Sequence, residues 1–405
     1  MPGHVGKGGS LLKTARLDRW LPVGVVAFAL FMDYLIYGLL IPLTPLSPAR
    51  ATTEQQLGLV YGAYSLGVLA ATPLFGYLGD RIGYRRPLIG GVALSAIALA
   101  LCWLAPHFQL LLLARLFQGA ASAASWTAGL ALIAEHYSEA RVKMMGFALM
   151  GSTAGSLLGP VIGGSLYEVG GYSLPFVVTG VLVALDAAAC IFLLPHQQVV
   201  RKKSPDIWPL LSDRSVLVAA AAVALAAIGW GIIEPLLPAQ LTRSGVTPGV
   251  VGLIFTAGSL AYGLSAPLVA RASNHVPIRK LIAGGTAAMA VSLPFLSLYQ
   301  GAVAAAIGLC VVSVCYAFML NPTSAELGNA VDRRGMSCYA AVYAVYNIAY
   351  AVGQMAASSF ASAASGHLSF FQTLLCISAA LVVFIPLLLR DTPLPQATPQ
   401  SPAET

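Results

Sequence analysis

Long apolar runs, each broken by only a few charges, constrain this chain more than any other feature. Hydrophobic residues are 58% of the sequence and charged residues 9%, where a soluble domain carries about 25% charged. An apolar helix needs roughly 20 residues to cross a bilayer. That rule predicts spans near 20–45, 55–77, 88–105, 108–134, 143–166 and 173–194, then near 215–240, 247–270, 279–298, 301–325, 336–360 and 368–389. The expected fold class is an all-α integral membrane protein with twelve transmembrane helices. The six cysteines (102, 190, 310, 315, 338 and 376) sit mostly in apolar runs without metal-ligand spacing and read as small core residues.

The placement of Lys and Arg tests that count. With a cytoplasmic N-terminus, every one of the 22 falls on the inner side except Arg50, Arg243 and the intramembrane Arg115. Cytoplasmic loops carry such an excess, so both termini are expected to be cytoplasmic. The net charge of +7 is then a product of topology and requires no nucleic-acid partner. The first apolar run is too long for a cleavable signal peptide and contains Asp33.

A polar stretch over 195–214, with Arg201, Lys202, Lys203, Pro205, Asp206 and Pro209, separates two apolar blocks of similar size. The expected organisation is a bundle over 1–194, a cytoplasmic linker over 195–214, a second bundle over 215–390 and a disordered tail over 391–405. The halves echo each other. Asp33 precedes Pro42 and Pro45 in span one, and Glu234 precedes Pro235 and Pro238 in span seven. Thr72-Pro73-Leu74 in span two matches Ala266-Pro267-Leu268 in span eight. Duplicated, pseudo-symmetric six-helix bundles that open alternately to either side are a recurrent transporter plan.

The loop after span two reads Gly76-Tyr77-Leu78-Gly79-Asp80-Arg81-Ile82-Gly83-Tyr84-Arg85-Arg86. With it come Arg115-Leu116-Phe117-Gln118-Gly119 in span four, and Gly155, Gly159, Pro160, Gly163 and Gly164 in span five. These strings resemble the loop, R-x-x-Q-G and antiporter motifs of the major facilitator superfamily. A finer resemblance is to the vesicular amine transporter branch of its drug–proton antiporters. Asp33 in an M-D-Y context, Leu185-Asp186-Ala187, Glu234-Pro235-Leu236-Leu237-Pro238 and Val342-Tyr343-Ala344-Val345-Tyr346-Asn347 carry it. The resemblance implies the major facilitator fold and export of organic cations against protons. The chain also departs from that branch: Tyr64 stands where the branch has a lysine, Asn347 where it has an aspartate, and Ala317 where span ten has an acid. Losing both members of a charge pair strands neither.

Four acids are expected at or near membrane depth: Asp33, Asp186, Glu234 and Glu326. Intramembrane acids are costly and usually serve ions or solute. Asp33 lies roughly 20 Å along span one, with Tyr37 on its face at i+4, and is expected to exchange a proton for a cationic ligand. Its structural alternative is an acid satisfied by hydroxyls or Arg115. Glu234 has Trp230 one turn earlier, and a carboxylate beside an aromatic ring suits an organic cation. Asp186 reads as an organiser of helix contacts or a transport residue, Glu326 as structural, and Arg115, with Gln118 nearby, as a network residue that relays proton state or as a purely structural one. Tyr262, Tyr343 and Asn347 are candidate cavity residues, among aromatics that include Tyr61, Tyr64, Trp126, Tyr316 and Tyr346. Gly76, Asp80, Arg81, Gly83, Arg85 and Arg86 form the expected conformational motif, in which Asp80 holds inner helix ends together in the outward-facing state. Gly159, Pro160 and Gly163 are expected to let span five pack tightly on a neighbour.

Neither H-E-x-x-H nor a phosphate-binding or G-x-S-x-G string occurs, and the histidines are scattered, so no enzyme, metal or organic cofactor is expected. The predicted function is proton-coupled efflux of lipophilic cations, amines or drugs by a functional monomer in a bacterial inner membrane. Its partners are then small molecules, protons and the lipid bilayer, with the transmembrane proton gradient as coupling source. Export of neutral drugs or metabolites is the main alternative, and a non-transporting receptor or scaffold a lesser one.

Overall fold

Apolar runs of this length satisfy their backbone in hydrocarbon by coiling into helices, and the computed structural model does so throughout the residues it describes: 8–47, 53–137, 141–194, 213–298, 301–333 and 339–389. The first six helices are α1 (Gly8–Leu43), α2 (Glu54–Ile82), α3 (Arg85–Leu104), α4 (Phe108–His136), α5 (Arg141–Gly170) and α6 (Ser173–Phe192). The next six are α7 (Arg214–Arg243), α8 (Pro248–Ser273), α9 (Ile278–Phe295), α10 (Ala302–Arg333), α11 (Tyr339–Ala364) and α12 (Phe370–Leu389). Among the described residues, ten of these are long and apolar enough on their own to cross a membrane. The other two, the 18-residue α9 and the Tyr- and Ser-rich α11, pack between them and complete the twelve. Several helices outrun the expected spans, because polar turns at their ends continue the coil; α10 reaches Arg333. Of the expected linker over 195–214, residues 195–212 lie outside the described residues and Arg214 already opens α7; the expected tail over 391–405 and the break at Tyr299–Gln300 also lie outside them.

Local signals set the boundaries. Thr53 caps α2 with a reciprocal bond to Gln56, which satisfies two orphan donors. Gly83 stops α2 at φ 80°, a conformation glycine adopts without steric cost. Asp213 accepts the Ser215 N–H at 2.8 Å to start α7.

Within the first six helices, α1 packs on α5, α2 on α4, and α3 on α4 and α6. The last six repeat that scheme with every index raised by six: α7 on α11, α8 on α10, and α9 on α10 and α12. The halves meet along two seams, α5 against α8 and α2 against α11.

Glycine sets how close these helices come. On α5, Gly151, Gly155, Gly159 and Gly163 face α1 at every fourth residue. A Cβ built on Gly163 would lie 2.5 Å from the Leu39 carbonyl oxygen, and one on Gly159 2.8 Å from that of Leu35. The neighbouring face of α5 meets α8: a Cβ on Gly164 would sit 2.2 Å from the Pro248 carbonyl, and one on Gly252 2.2 Å from the Pro160 carbonyl. One helix is thus clamped to both halves, as expected of small residues between membrane helices.

Twelve traverses bring the outer ends of α1 and α12 to one face, here the terminal side; the α1–α2 turn lies on the far side. The far side is sealed between the halves. Arg243 at the end of α7 pairs with Glu54 at the start of α2 at 2.7 Å. Glu168 at the end of α5 accepts the Gly249 N–H of α8 at 3.0 Å, where the helix dipole favours a carboxylate.

Two expectations follow from this packing. Gly163→Val should cost about 1–3 kcal/mol by overpacking, whereas Gly146→Ala, whose added methyl meets nothing within 4 Å, should leave the thermal unfolding midpoint unchanged or raise it. Arg243→Glu should drive the far ends of α2 and α7 apart in spin-label distance measurements, and adding Glu54→Arg should restore the wild-type distribution. A single unchanged distribution in all three proteins would show that the pair does not hold the seal.

Candidate functional site

Polar side chains in the middle of these helices converge on a cavity of about 360 Å³ between the halves, on the terminal side of the seal. Its walls include Tyr64 and Thr72 of α2, Ser122 and Trp126 of α4, Ser152 and Ser156 of α5, Trp230 of α7, Tyr262 of α8, Tyr316 of α10, and Tyr346, Asn347 and Gln354 of α11. A smaller recess of about 90 Å³ leads on toward the far side, lined by Tyr37, Trp230, Tyr350, Gln354 and Glu234.

Asp33 is buried on α1. Its Oδ2 accepts the Ser122 hydroxyl at 2.7 Å and the Trp126 indole N–H at 3.1 Å. Ser122 in turn accepts the Tyr64 hydroxyl at 3.0 Å. Trp126 leaves α4 within a π-helical turn over Ser125–Gly129, a widening common at functional sites. Both donors line the cavity and Asp33 lies directly behind them. The acid is therefore satisfied by a hydroxyl and an indole, without Arg115.

Glu234 is also buried, in the first turn of the second segment of α7, Ile233–Arg243. Pro235 has no N–H to give the Gly231 carbonyl, so α7 is interrupted there. Trp230 donates to Oε1 at 2.9 Å, while Gln354 donates to Oε2 at 2.9 Å. Tyr37 donates to the same Oε2. Tyr37 thus turns away from Asp33, one helical turn below it, and serves the acid of the opposite half.

Arg115 is fully buried on α4. Its guanidinium donates to Gln118 Oε1 at 2.6 Å and to the Val60 carbonyl at 3.4 Å. The rings of Tyr37, Tyr61 and Tyr64 surround it, with centroids 5.3, 5.0 and 5.1 Å from its central carbon. Cation–π contact of this kind strengthens where water is absent. Tyr37 and Tyr64 also pack on each other, with centroids 4.7 Å apart. A continuous path therefore runs from Asp33 through Ser122, Tyr64 and Tyr37 to Glu234, with one cation lying over both tyrosines.

On the opposite wall, Trp230 stacks on Tyr316 at 5.2 Å and Tyr262 tilts against the same ring at 5.5 Å. Tyr262 donates to Asn321 Oδ1 at 2.5 Å. These flat faces, next to the Glu234 carboxylate, can hold an organic cation by its charge and its apolar surface together.

Other sequence candidates fall elsewhere. Asp186 is buried on α6 and accepts the Cys190 thiol at 3.8 Å; neither it nor the half-buried Glu326 lines either cavity. Tyr343 has its side chain outside the described residues, as does Asp80. Around Asp80, Gly79 packs against the Tyr84 ring, where a Cβ would fall 2.4 Å from Cδ1. Gly76 has no such close neighbour. Arg81 lies over the Tyr77 ring at 4.6 Å, Arg85 donates to the Ile191 carbonyl of α6 at 2.5 Å, and Arg86 is exposed.

Sequence reasoning passed over Ser122 and Gln354. Both sit on polar stripes that period alone exposes: Arg115, Gln118, Ser122 and Trp126 on α4, and Asn347, Tyr350, Gln354 and Ser358 on α11, each at three- or four-residue steps on one helix face.

A duplicated twelve-helix bundle around a central cavity is the architecture of a secondary transporter. Residues 24–226 and 219–405 match the Major Facilitator Superfamily, and the chain belongs to that family: it is an integral membrane transporter and not an enzyme. Among curated proteins it is 28% identical to a probable vesicular acetylcholine transporter-B of Danio rerio, over 97% of this chain and 83% of that one. It is 29% identical to the synaptic vesicular amine transporter of Rattus norvegicus, over 84% and 67% of the two chains. Its fold matches the crystal structure of a bacterial homolog to the human lysosomal transporter Spinster, in an inward-facing and unoccupied conformation, with TM-score 0.71 and 15% identity over 91% and 94% of the chains. It also matches a nucleoside transporter, with TM-score 0.72 and 12% identity over 91% and 100%.

Ser122→Ala should lower the stability of the purified protein by about 1–3 kcal/mol, because Asp33 loses a donor and Tyr64 an acceptor at a buried position. Ser122→Thr, which keeps the hydroxyl, should unfold close to the wild-type temperature. Equal unfolding midpoints for wild type and the alanine variant would sever the Asp33–Ser122–Tyr64 connection from stability.

Proposed function

We propose that this transporter exports lipophilic organic cations or amines in exchange for protons, by alternating access. The observation that carries the reading is a buried carboxylate in each half, Glu234 in the wall of the aromatic recess and Asp33 directly behind Ser122 and Trp126 of the main cavity. A carboxylate in a low-dielectric site is stable when neutralised, either by a proton or by a cation. The two neutralisers compete for the same acid, and competition of that kind is what exchanges one for the other across a membrane. The amine-transporting relatives support the same substrate class. The reading includes a bacterial cytoplasmic membrane with both termini inside, which follows the Lys and Arg placement, and a single chain as the working unit. The terminal side is then cytoplasmic, and a cavity lying inside a far-side seal supports an inward-facing state. In that state substrate enters from the cytoplasm or the inner leaflet.

The roles of the two acids differ. Asp33, behind Ser122 and Trp126, recognises the cation and yields its proton. Glu234, in the recess nearer the far side, takes up the proton that releases substrate outward. Asp186 organises helix contacts around α6, and Arg115, over the rings of Tyr37 and Tyr64, is a network residue between the two acids.

A second reading is export of neutral drugs or metabolites. It is favoured by Tyr64 and Asn347, neutral groups on the cavity wall at the positions where the amine-transporter branch is expected to carry charge.

The test uses the full chain in proteoliposomes, with tetraphenylphosphonium as probe and the membrane potential clamped to zero. An acidic lumen should drive accumulation, and collapsing the gradient should abolish it. Asp33→Asn should lose competition between probe and protons in binding, while Glu234→Gln should still bind but accumulate at least about tenfold less, each change deleting charge at nearly constant volume. Accumulation that persists without a gradient would refute coupling. Wild-type binding and flux in both variants would refute the site assignment, and preferential binding of a neutral isostere would select the second reading.

A further inference from the structure

Among the described residues, Gln354 hydrogen-bonds both members of the contact between halves at the recess, Glu234 and Tyr37. Its Nε2 donates at 2.9 Å to Glu234 Oε2 on α7 and at 2.5 Å to the hydroxyl oxygen of Tyr37 on α1. Both amide hydrogens are therefore committed. The reverse amide orientation would set its oxygen against a carboxylate, which repels it. With Gln354 occupying the tyrosine oxygen, the phenol proton is directed at Glu234, and Tyr37 does donate there. Three helices close a triangle, and only the bonds to Tyr37 cross between the halves.

We propose that Gln354 is a positioning residue that locks the empty, ionised carrier shut, by aiming the Tyr37 proton at Glu234 so that the halves separate there only after a proton or a cation has neutralised the acid. This rests on Glu234 being the coupling acid, as proposed above. The physical reason is an asymmetry of donors. An ionised carboxylate only accepts, and it welcomes the indole of Trp230, the amide of Gln354 and the phenol of Tyr37 together. Once protonated, it carries a hydrogen of its own, and that hydrogen and the phenol proton compete for too few acceptors. A bound cation likewise draws the carboxylate away from neutral donors. In either case the bond given up is the one across the halves, since Gln354 and Trp230 travel with Glu234. The neighbouring ionisable groups do not blur this response. Tyr34 on α1, Tyr61 and Tyr64 on α2 and Tyr350 on α11 are phenols, which ordinarily ionise near pH 10, and the Arg115 guanidinium on α4 lies over the Tyr37 ring. An exchanger must forbid one event above all: passage of the carrier with neither substrate nor proton aboard. The triangle supplies that prohibition.

The test compares two fluxes of tetraphenylphosphonium in proteoliposomes holding the full chain. Equilibrium exchange requires no empty passage; accumulation against a concentration gradient, driven by an acidic lumen, requires that empty passage be blocked. Gln354→Met removes both donors at similar length and volume. It should lower accumulation by about tenfold or more, the scale of a lost hydrogen bond to a charged group, and lower it several-fold more than it lowers exchange. A leak of preloaded probe at zero gradient should appear with it. Tyr37→Phe should do the same, and the double variant should be no worse than either single one, because both break one triangle. Gln354→Asn, which keeps the amide, should recover part of the accumulation. Wild-type accumulation in Gln354→Met overturns the proposal. So does a parallel loss of both fluxes with a lowered unfolding temperature, or additive losses in the double variant. Glu234→Gln run alongside separates the premise: if it accumulates probe like wild type, the coupling role of Glu234 fails, whatever Gln354 does.

Discussion

A carboxylate placed in hydrocarbon has to be answered by the protein, since no bulk water is present to do it. Much of the interior is arranged around that requirement at Asp33 and Glu234. Each takes donors from an indole and from a small polar side chain, Ser122 and Trp126 in one case, Gln354 and Trp230 in the other. Glu234 draws a further donor from the opposite half through Tyr37. Among the described residues neither acid has an ion-pair partner, and neutral donors satisfy both. A buried ion pair would have been harder to break, because removing one partner strands the other.

Donors reach these acids only because the helices come close. The glycines of α5 let the α1 backbone lie within contact distance, which fixes the depth at which Asp33 and Tyr37 present themselves. On α2 and α4, a Cβ at Gly67 or Gly119 would run into the Leu116 or Tyr64 carbonyl, and this approach sets Tyr64 beside Ser122 and Arg115. Glycine contacts of the same kind join α5 to α8 across the halves, and polar contacts at helix ends add to them on the far side.

The sequence announced this architecture plainly. Apolar run lengths, the one-sided Lys and Arg and the repeated acid–proline elements lead to twelve helices, and the strings around Asp80, Arg115 and Gly159 lead to the family. Asp33, Glu234, Trp230 and Arg115 stand out because polar groups are rare in such runs. Other features are not local properties. That Tyr37 bonds Glu234, 197 positions away, depends on how α1 meets α7, and one-helix periodicity places it with Asp33 instead. Ser122 and Gln354 are small or uncharged and blend with many other serines and glutamines until the stripe they belong to is traced. Asp186 read in sequence as an organiser of helix contacts or a transport residue, and the structure sets it outside both cavities.

The seal and the site differ in their access to water. Arg243 and Glu54 have side chains 53% and 23% exposed, so dissolved ions reach their pairing and screen it over about 10 Å at ordinary salt. Asp33, Arg115 and Glu234 lie at 5%, 0% and 4% exposure, where no ion atmosphere forms. Ionic strength on the far side therefore bears on how firmly the two halves are held together there, while leaving the chemistry of the interior alone.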